Sequence, residues 1–187
     1  VTGKVEAFIA HGKIIHIDID ASELNKNKPV TLPVCADIKL ALQQLIEVCP
    51  SKQHPEWCHT LSELRREYPM RPPREENAET GAINPQAAIR LISDITQGEA
   101  IVSLGVGQHQ MWAMQHYLSR QTRSFLSSSG FGTMGYGLPA AIGAKVASPE
   151  RTVIDIDGDG SLNMTIHELA TCHRYRIGVK VVVINNQ

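Results

Sequence analysis

Beyond residue 82 the chain alternates apolar, strand-like runs with helical segments. The predicted strands and helices, in chain order, are a helix at 85–95, a strand at 100–106, helices at 108–118 and 134–146, a strand at 151–157, a helix at 165–175 and a strand at 179–184. Parallel strands need long crossover connections, so this alternation favours a parallel sheet covered by helices on both faces. We therefore predict an α/β fold, in which ligands bind at the carboxyl ends of the strands.

The first part of the chain has the pattern of the end of another α/β domain. A short apolar run at 13–18 is suited to a buried strand, and Asp37 is a good N-cap for an apolar-striped helix at 37–48. A second helix is predicted at 55–68. Residues 69–82 are rich in proline and polar residues without periodicity, which is typical of a linker. We predict one domain end over 1–68, a linker over 69–82 and a second domain over 83–187.

The sequence has the features of a fragment. It opens without Met and stops just after the strand at 179–184, where a parallel strand would lead into another crossover helix. We therefore expect the second domain to be truncated at its C-terminal side.

Composition argues against several classes of function. Hydrophobic residues make up 42% and charged residues 20%, which is typical of a globular protein. A formal net charge of -1, without Lys/Arg runs, favours neither nucleic acid nor an anionic membrane as a partner. No apolar run is long enough for a membrane span. The four cysteines lack metal-ligand spacing, and Cys35 and Cys172 are expected to be reduced and buried, as in a cytosol-like compartment.

Oxygen-bearing residues follow two of the predicted strands. Asp159 comes after the strand at 151–157, and Asn186 after the strand at 179–184. Because neighbouring parallel strands end at the same edge of a sheet, we expect these two side chains to converge. A carboxylate and an amide oxygen suit Mg²⁺, which also takes phosphate oxygens and water. Gly158 and Gly160 allow the backbone to approach a ligand closely, and the helix that follows offers free N–H groups to an anion.

A calcium loop and a plain surface turn are the weaker interpretations of this acidic segment. Asp155, Asp157 and Asp159 have the spacing of an EF-hand calcium loop, but Ile166 occupies the twelfth position, where a bidentate Glu is required. A ligand-free surface turn of Asp and Gly would leave the amide after the next strand unexplained. A magnesium site is the preferred interpretation.

Several motifs occur in a fixed order along the chain. Gly158-Asp159-Gly160 is followed by Asn185-Asn186, a pattern similar to the general motif of thiamine-diphosphate enzymes. The segments 105–112, GVGQHQMW, and 130–143, GFGTMGYGLPAAIG, are more specific, and the short segments VTGK, HIDID and CAD stand at 1–4, 16–20 and 35–37. Together, in this order, they resemble acetohydroxyacid (acetolactate) synthase. The resemblance covers nearly the whole chain and is weakest between 51 and 80.

The resemblance implies that 83–187 is a pyrophosphate-binding domain and that 1–68 ends an FAD-binding middle domain. Asp159 and Asn186 resemble the family's Mg²⁺ ligands. The thiamine-diphosphate contacts that it implies are Val106, Gly107, Gln108, His109, Gly132, Thr133, Met134, Gly158, Asp159, Gly160, Ser161 and Asn186. The FAD contacts that it implies are Asp18, Ile19 and Asp37. Two alternatives stay open: Asp37 as a plain helix cap, and Met134 as a core residue opening the helix at 134–146.

The activity implied by the resemblance is the condensation of two 2-oxo acids with loss of CO₂. Pyruvate plus pyruvate would give acetolactate, and pyruvate plus 2-oxobutyrate would give acetohydroxybutyrate, in the biosynthesis of valine, leucine and isoleucine. Alternatives are another thiamine-diphosphate enzyme (pyruvate oxidase, glyoxylate carboligase or a 2-oxo acid decarboxylase) and a non-catalytic relative. FAD is implied to be structural.

The family's active site lies between two subunits, and its cofactor-activating Glu belongs to a domain outside this sequence. The resemblance therefore implies a homodimer or tetramer, a regulatory small subunit as a further partner, and no activity for this fragment alone. A bacterial cytoplasm is the expected location, and a plastid is the alternative.

Overall fold

The computed structural model describes residues 3–69 and 81–185, which fall into two compact units, Val1–Glu67 and Tyr68–Gln187. Most of the predicted linker at 69–82 lies outside the described residues, and so does Asn186. Over the described ranges, no helix is long and apolar enough to cross a membrane.

The first unit contains a two-stranded sheet and two helices. Strand β1 (Ile15–Asp18) pairs in parallel with β2 (Leu32–Cys35), so that their carboxyl ends lie side by side. Helices α1 (Ile38–Val48) and α2 (Pro55–Glu67) follow. The predicted strand and both predicted helices are present within two residues of their expected ends, whereas β2 was missed. A strand of four residues that contains a proline gives little signal, and proline is tolerated there because β2 is an edge strand.

The expectation that Cys35 and Cys172 are buried is wrong. Cys35 is exposed, because β2 is the outer strand of a two-stranded sheet in a unit whose described residues include a single buried hydrophobic residue, Ala41. Cys172 is half-buried on helix α7 (Leu169–Tyr175), which buries none of its residues fully. Both thiols are free, in agreement with the expected reduced state.

The second unit is built on a four-stranded sheet with helices on both faces, which confirms the predicted α/β class. Its elements in chain order are α3 (Pro85–Ile95), β3 (Ile101–Leu104), α4 (Gln108–His116), β4 (Phe125–Ser127), α5 (Gly137–Ala147), β5 (Val153–Gly158), α6 (Asp159–Asn163), a 3₁₀ turn (Ile166–Glu168), α7 (Leu169–Tyr175) and β6 (Lys180–Ile184). The strand order is β4-β3-β5-β6, and every pairing is parallel.

Side chains of the central strands alternate between two core layers. The larger layer joins Val102 and Leu104 of β3 and Ile154 and Ile156 of β5 to residues of α3 and α4, including the fully buried Ile89. The residues in between face the other side, where Ile101 and Val153 pack against Ala141 of α5. Because a strand alternates with a period of two, Ser103, Asp155 and Asp157 also belong to the α5 side. Three polar side chains are therefore buried in line with apolar ones.

Three predictions within the second unit need correction. The helix predicted at 134–146 begins at Gly137, because Gly135 adopts a φ angle of 79° that a helix excludes. Met134 therefore lies in the loop before α5, and the alternative that it opens a core-packed helix is wrong. The helix predicted at 165–175 is divided into the 3₁₀ turn and α7. Strand β4 and helix α6 were missed, since they have three and five residues and are too short for a periodic pattern.

Candidate functional site

A pocket of about 270 Å³ opens at the carboxyl edge of the four-stranded sheet. Three segments contribute most of its wall: the 105–109 turn after β3, the 132–136 loop before α5, and the 158–161 segment that joins β5 to α6. We call it the edge pocket. Its lining residues are Val106, Gly107, Gln108, His109, Trp112, Met134, Gly158, Asp159, Gly160, Ser161 and Ile184. Nine of the twelve predicted thiamine-diphosphate contacts are among them.

Two of the other three predicted contacts, Gly132 and Thr133, are described but are not lining residues. Gly132 adjoins the pocket wall, because a Cβ added to it would lie 3.9 Å from Cγ1 of Val106. Thr133 lies in the same loop, where its N–H donates to the Ser128 hydroxyl at 3.1 Å. Asn186 is outside the described residues.

Two lining residues, Trp112 and Ile184, were not anticipated from the sequence. Trp112 follows Gln108 by one helical turn on α4, so the two share a face of that helix. Ile184 ends β6 and lies opposite Gly158 in the register of the sheet. The helical spacing was a usable signal for Trp112, whereas the position of Ile184 depends on the strand register.

The imidazole of His109 lies between the backbones of Gly107 and Gly158. A Cβ on Gly107 would lie 2.9 Å from Cε1 of the imidazole, and a Cβ on Gly158 would lie 2.8 Å from Nδ1. Only glycine at both positions leaves room for the ring, which explains the choice of residue there. His109 is 5% exposed, and burial lowers its pKa, against the opposing influence of Asp157, the Gly105 backbone and Asp159. The imidazole is therefore neutral near pH 7.

Two fully buried carboxyl groups lie behind the pocket on β5. The Ser103 hydroxyl donates to Oδ1 of Asp155 at 3.2 Å, and the N–H of Gly158 donates to Oδ1 of Asp157 at 2.9 Å. Burial raises the pKa of both groups, that of Asp155 to about 7 with a further contribution from the charge of Asp157. The second oxygen of each carboxyl group, Oδ2, has no hydrogen-bond partner among the described residues. Nε2 of His109 is 3.5 Å from Oδ1 of Asp157.

Asp159 differs from these two acids because it is exposed in the pocket. It begins α6 directly after β5. Gly160 follows with an open Cβ position whose nearest neighbour is Cε of Met134, at 3.6 Å. An exposed carboxylate at the start of a helix fits a divalent cation that also binds an anionic phosphate.

The predicted metal pair is only partly described. Strands β5 and β6 are adjacent and parallel, with Gly158 opposite Ile184, so Asp159 and Asn185 follow strands that end at the same edge of the sheet. No group of three or more His, Cys, Asp or Glu side chains suited to a metal occurs within residues 3–69 and 81–185. The predicted site uses one carboxylate and one amide, and its amide, Asn186, lies outside those ranges. Convergence of the two side chains therefore stays a prediction.

The three predicted FAD contacts lie together in the first unit. Asp18 ends β1, Ile19 follows it, and Asp37 follows β2, so all three are at the carboxyl edge of the two-stranded sheet. Ile19 is 74% exposed. Asp37 caps α1 as predicted, with Oδ1 accepting the N–H groups of Lys39 at 2.9 Å and Leu40 at 3.1 Å. Binding of FAD by these residues stays a prediction.

Comparison with known families agrees with the layout of both units. Residues 105–187 match the family described as "Thiamine pyrophosphate enzyme, C-terminal TPP binding domain", and residues 1–45 match "Thiamine pyrophosphate enzyme, central domain". The first match begins at the 105–109 turn and includes the whole edge pocket. The chain belongs to the thiamine pyrophosphate enzymes.

Within that class the chain is similar over its whole length to acetolactate synthases, which confirms the resemblance inferred from the motifs. It is 49% identical over 193 residues to acetolactate synthase 3, chloroplastic, of Brassica napus. It is 48% identical over 195 residues to acetolactate synthase 1, chloroplastic, of Nicotiana tabacum, and 50% identical over 198 residues to probable acetolactate synthase 2, chloroplastic, of Oryza sativa subsp. japonica. Each alignment covers 100% of this chain but only 28% or 29% of the relative. The chain thus spans less than a third of the curated relatives that it matches.

Proposed function

We propose that this chain is part of a thiamine-diphosphate- and Mg²⁺-dependent acetolactate synthase. The enzyme would condense pyruvate with pyruvate or 2-oxobutyrate, release CO₂, and supply acetolactate or acetohydroxybutyrate for the biosynthesis of valine, leucine and isoleucine. One observation carries the proposal: the edge pocket gathers residues from three separate connections, and they belong to the motifs that resemble this family. The names of the similar plant proteins agree with it.

In this proposal the 158–161 segment holds the charged end of the cofactor. Asp159, together with Asn186, would bind Mg²⁺ against the diphosphate, and the backbone N–H groups of Gly160 and Ser161 would donate to phosphate oxygens. Glycine at 160 permits the close approach, since a Cβ there would meet nothing nearer than Cε of Met134 at 3.6 Å. Bound thiamine diphosphate would supply the electron sink that decarboxylation of a 2-oxo acid requires.

The remaining walls would orient and enclose the cofactor. Met134 reaches to within 3.6 Å of the Cβ position of Gly160, so the two would border the same space from opposite sides. His109 would offer a neutral imidazole beside the diphosphate, because burial lowers its pKa. Trp112 adds an apolar wall that excludes water.

FAD and protein partners are further parts of the proposal. Asp18, Ile19 and Asp37 would contact FAD at the edge of the β1–β2 sheet, where the flavin has a structural role. A second copy of the catalytic chain would complete the active site, and a small regulatory subunit would bind elsewhere. Exposed apolar side chains near the pocket support a covering surface: Phe131 is 99% exposed and Met164 is 56% exposed. The similar relatives are chloroplastic by name, which agrees with the plastid alternative for its location.

Calorimetry on the full-length protein tests cofactor binding. Thiamine diphosphate with Mg²⁺ should bind to the wild type, and Asp159→Ala should abolish Mg²⁺-dependent binding because it removes the only side-chain carboxylate that lines the described pocket. Equal binding by both proteins would contradict the proposed ligand set.

A product assay with pyruvate separates the enzyme classes. Acetolactate is the expected product. Acetyl phosphate would indicate an oxidase, an aldehyde would indicate a decarboxylase, and cofactor binding without turnover would indicate a non-catalytic relative.

A further inference from the structure

One buried carboxylate behind the edge pocket contacts two of the segments that form its wall. Oδ1 of Asp157 accepts the N–H of Gly158 at 2.9 Å and lies 3.5 Å from Nε2 of His109. The side chain of Ser161 lies close enough to lower the pKa of this carboxylate. Asp157 is 0% exposed and does not line the pocket itself. It is therefore placed to orient the residues that do.

Ser161 extends these contacts to the third segment. Its hydroxyl oxygen accepts the N–H of Gly135 at 3.0 Å, so the proton of that hydroxyl is available to the Asp157 carboxylate. The carbonyl of Gly135 in turn accepts the hydroxyl of Thr165 at 3.2 Å. Through Ser161, one carboxylate is connected to the 132–136 loop, which carries Met134.

The surrounding glycines leave the carboxylate no alternative position. A Cβ on Gly105 would collide with Oδ1 of Asp157 and would lie 2.5 Å from Oγ of Ser161. A Cβ on Gly137 would lie 3.0 Å from Oδ2 of Asp157. The backbones at Gly105 and Gly137 thus pack directly against the Asp157 carboxylate. Because the packing is this tight, a displacement of the carboxylate shifts its neighbours as well.

We infer that Asp157 is a positioning residue for the cofactor site, holding the 105–109 turn, the 132–136 loop and the 158–161 segment in the arrangement that binds thiamine diphosphate. The inference rests on the proposed function. It assigns to a residue outside the pocket a role that acts through His109, Ser161 and Gly158. Residues that orient a first layer of ligands commonly affect affinity about 10–100-fold when they are replaced.

Asp155 provides a matched control on the same strand. It has the same side chain, is equally buried at 0% exposure, and faces the same side of the sheet. Its hydrogen bond goes to Ser103, which lies inside the sheet and not in the pocket wall. A general disturbance of the core would affect both positions, whereas positioning of the pocket depends on Asp157.

The test measures the Kd of thiamine diphosphate at saturating Mg²⁺ by calorimetry on the full-length wild type, three single variants and one double variant. Asp157→Asn, which keeps an acceptor for the Gly158 N–H, should weaken binding about tenfold or more. Ser161→Ala should also weaken it, and the double variant should be no weaker than the worse single one, because both act through one network. Asp155→Asn should leave the Kd close to that of the wild type, because the Asp155 carboxyl group is hydrogen-bonded to Ser103 and not to the pocket wall. Hydrogen exchange at the Gly135 amide should accelerate in Asp157→Asn and Ser161→Ala but not in Asp155→Asn.

The outcomes separate this inference from the proposed function. If the wild type does not bind thiamine diphosphate, both fail together. If it binds, and Asp157→Asn binds equally well or Asp155→Asn weakens binding as much, the positioning role is refuted while the proposed function stands. Should Asp157→Asn not fold, Ser161→Ala decides: unchanged affinity with unchanged Gly135 exchange overturns the inference.

Discussion

Replacing Gly137 with Ala should destabilise the second unit by about 1–3 kcal/mol, the usual cost of overpacking a close-packed site. The added Cβ would lie 2.4 Å from Oδ1 of Asp155 and 2.7 Å from the backbone N of Gly105. Ordinary contact begins near 3.4 Å, so these atoms must retreat by 3.4 − 2.4 = 1.0 Å and 3.4 − 2.7 = 0.7 Å. The carboxyl group is enclosed on all sides, and the amide belongs to the central strand connection, so neither can yield without moving the sheet.

Gly143→Ala is the matched control, because Gly143 lies in the same helix α5 and a Cβ there meets nothing within 4 Å. Relief of the glycine penalty in a helix should stabilise this variant by about 0.5–1 kcal/mol. Urea unfolding of the full-length protein, followed by circular dichroism, should therefore shift the midpoint in opposite directions for the two variants. A Gly137→Ala midpoint equal to or above that of Gly143→Ala would refute the reasoning, since it would mean that the space beside Asp155 is not filled.

Three other predictions follow from particular contacts. Burial raises the pKa of Asp155 in the folded protein to about 7 from an ordinary 3.8, so ionisation of this group removes stability as pH rises from about 4 to about 7. In urea unfolding, Asp155→Asn should therefore match the wild type at pH 4 and be more stable at pH 8, by at most on the order of 4 kcal/mol. A gain that is independent of pH would contradict this. Asp37→Ala should destabilise α1 by about 1 kcal/mol and accelerate hydrogen exchange of the Lys39 amide, and unchanged exchange would exclude the cap. Ile89→Ala should lower the free energy of unfolding in urea by about 2–5 kcal/mol, because Ile89 is 0% exposed. Leu91→Ala is the control on the same helix and should lower it far less, because Leu91 is 58% exposed. Equal losses of stability would argue against the place of Ile89 in the core.

The elements that could be predicted from sequence carry their own boundary signals. Helix α3 spans the predicted range, because Asn84 caps it by accepting two backbone N–H groups and Pro85 occupies its first turn. Helix α1 begins at Asp37 for the same reason. Strands β2 and β4, by contrast, have four and three residues, and each depends on hydrogen bonds to a partner strand distant in sequence. Local pattern carries no information about such a partner.

The edge pocket was predictable to the extent that it is made of connections after parallel strands. Gly107 and Asp159 each follow a strand, and that position alone places them at one edge of the sheet. Trp112 was missed because a helical aromatic residue is more often part of the core, and Ile184 because an apolar strand residue gives no sign of facing a ligand. The contact of Ile184 depends on strand register and becomes visible only with the fold, whereas the helical spacing from Gln108 was an unused signal for Trp112.

The buried acids of β5 show how a cost in stability is tied to the site. A carboxyl group inside a core is unfavourable when ionised, and Asp155 and Asp157 occupy positions where the period of the strand calls for apolar side chains. Asp157 recovers part of this cost through the N–H of Gly158 and the side chain of Ser161. An apolar residue at 157 would pack well but would leave the Gly158 N–H without its acceptor and Ser161 without its partner, at the place where the chain turns into the pocket. The buried Asp157 is thus explained by its contacts with residues of the pocket wall, and not by the stability of the sheet.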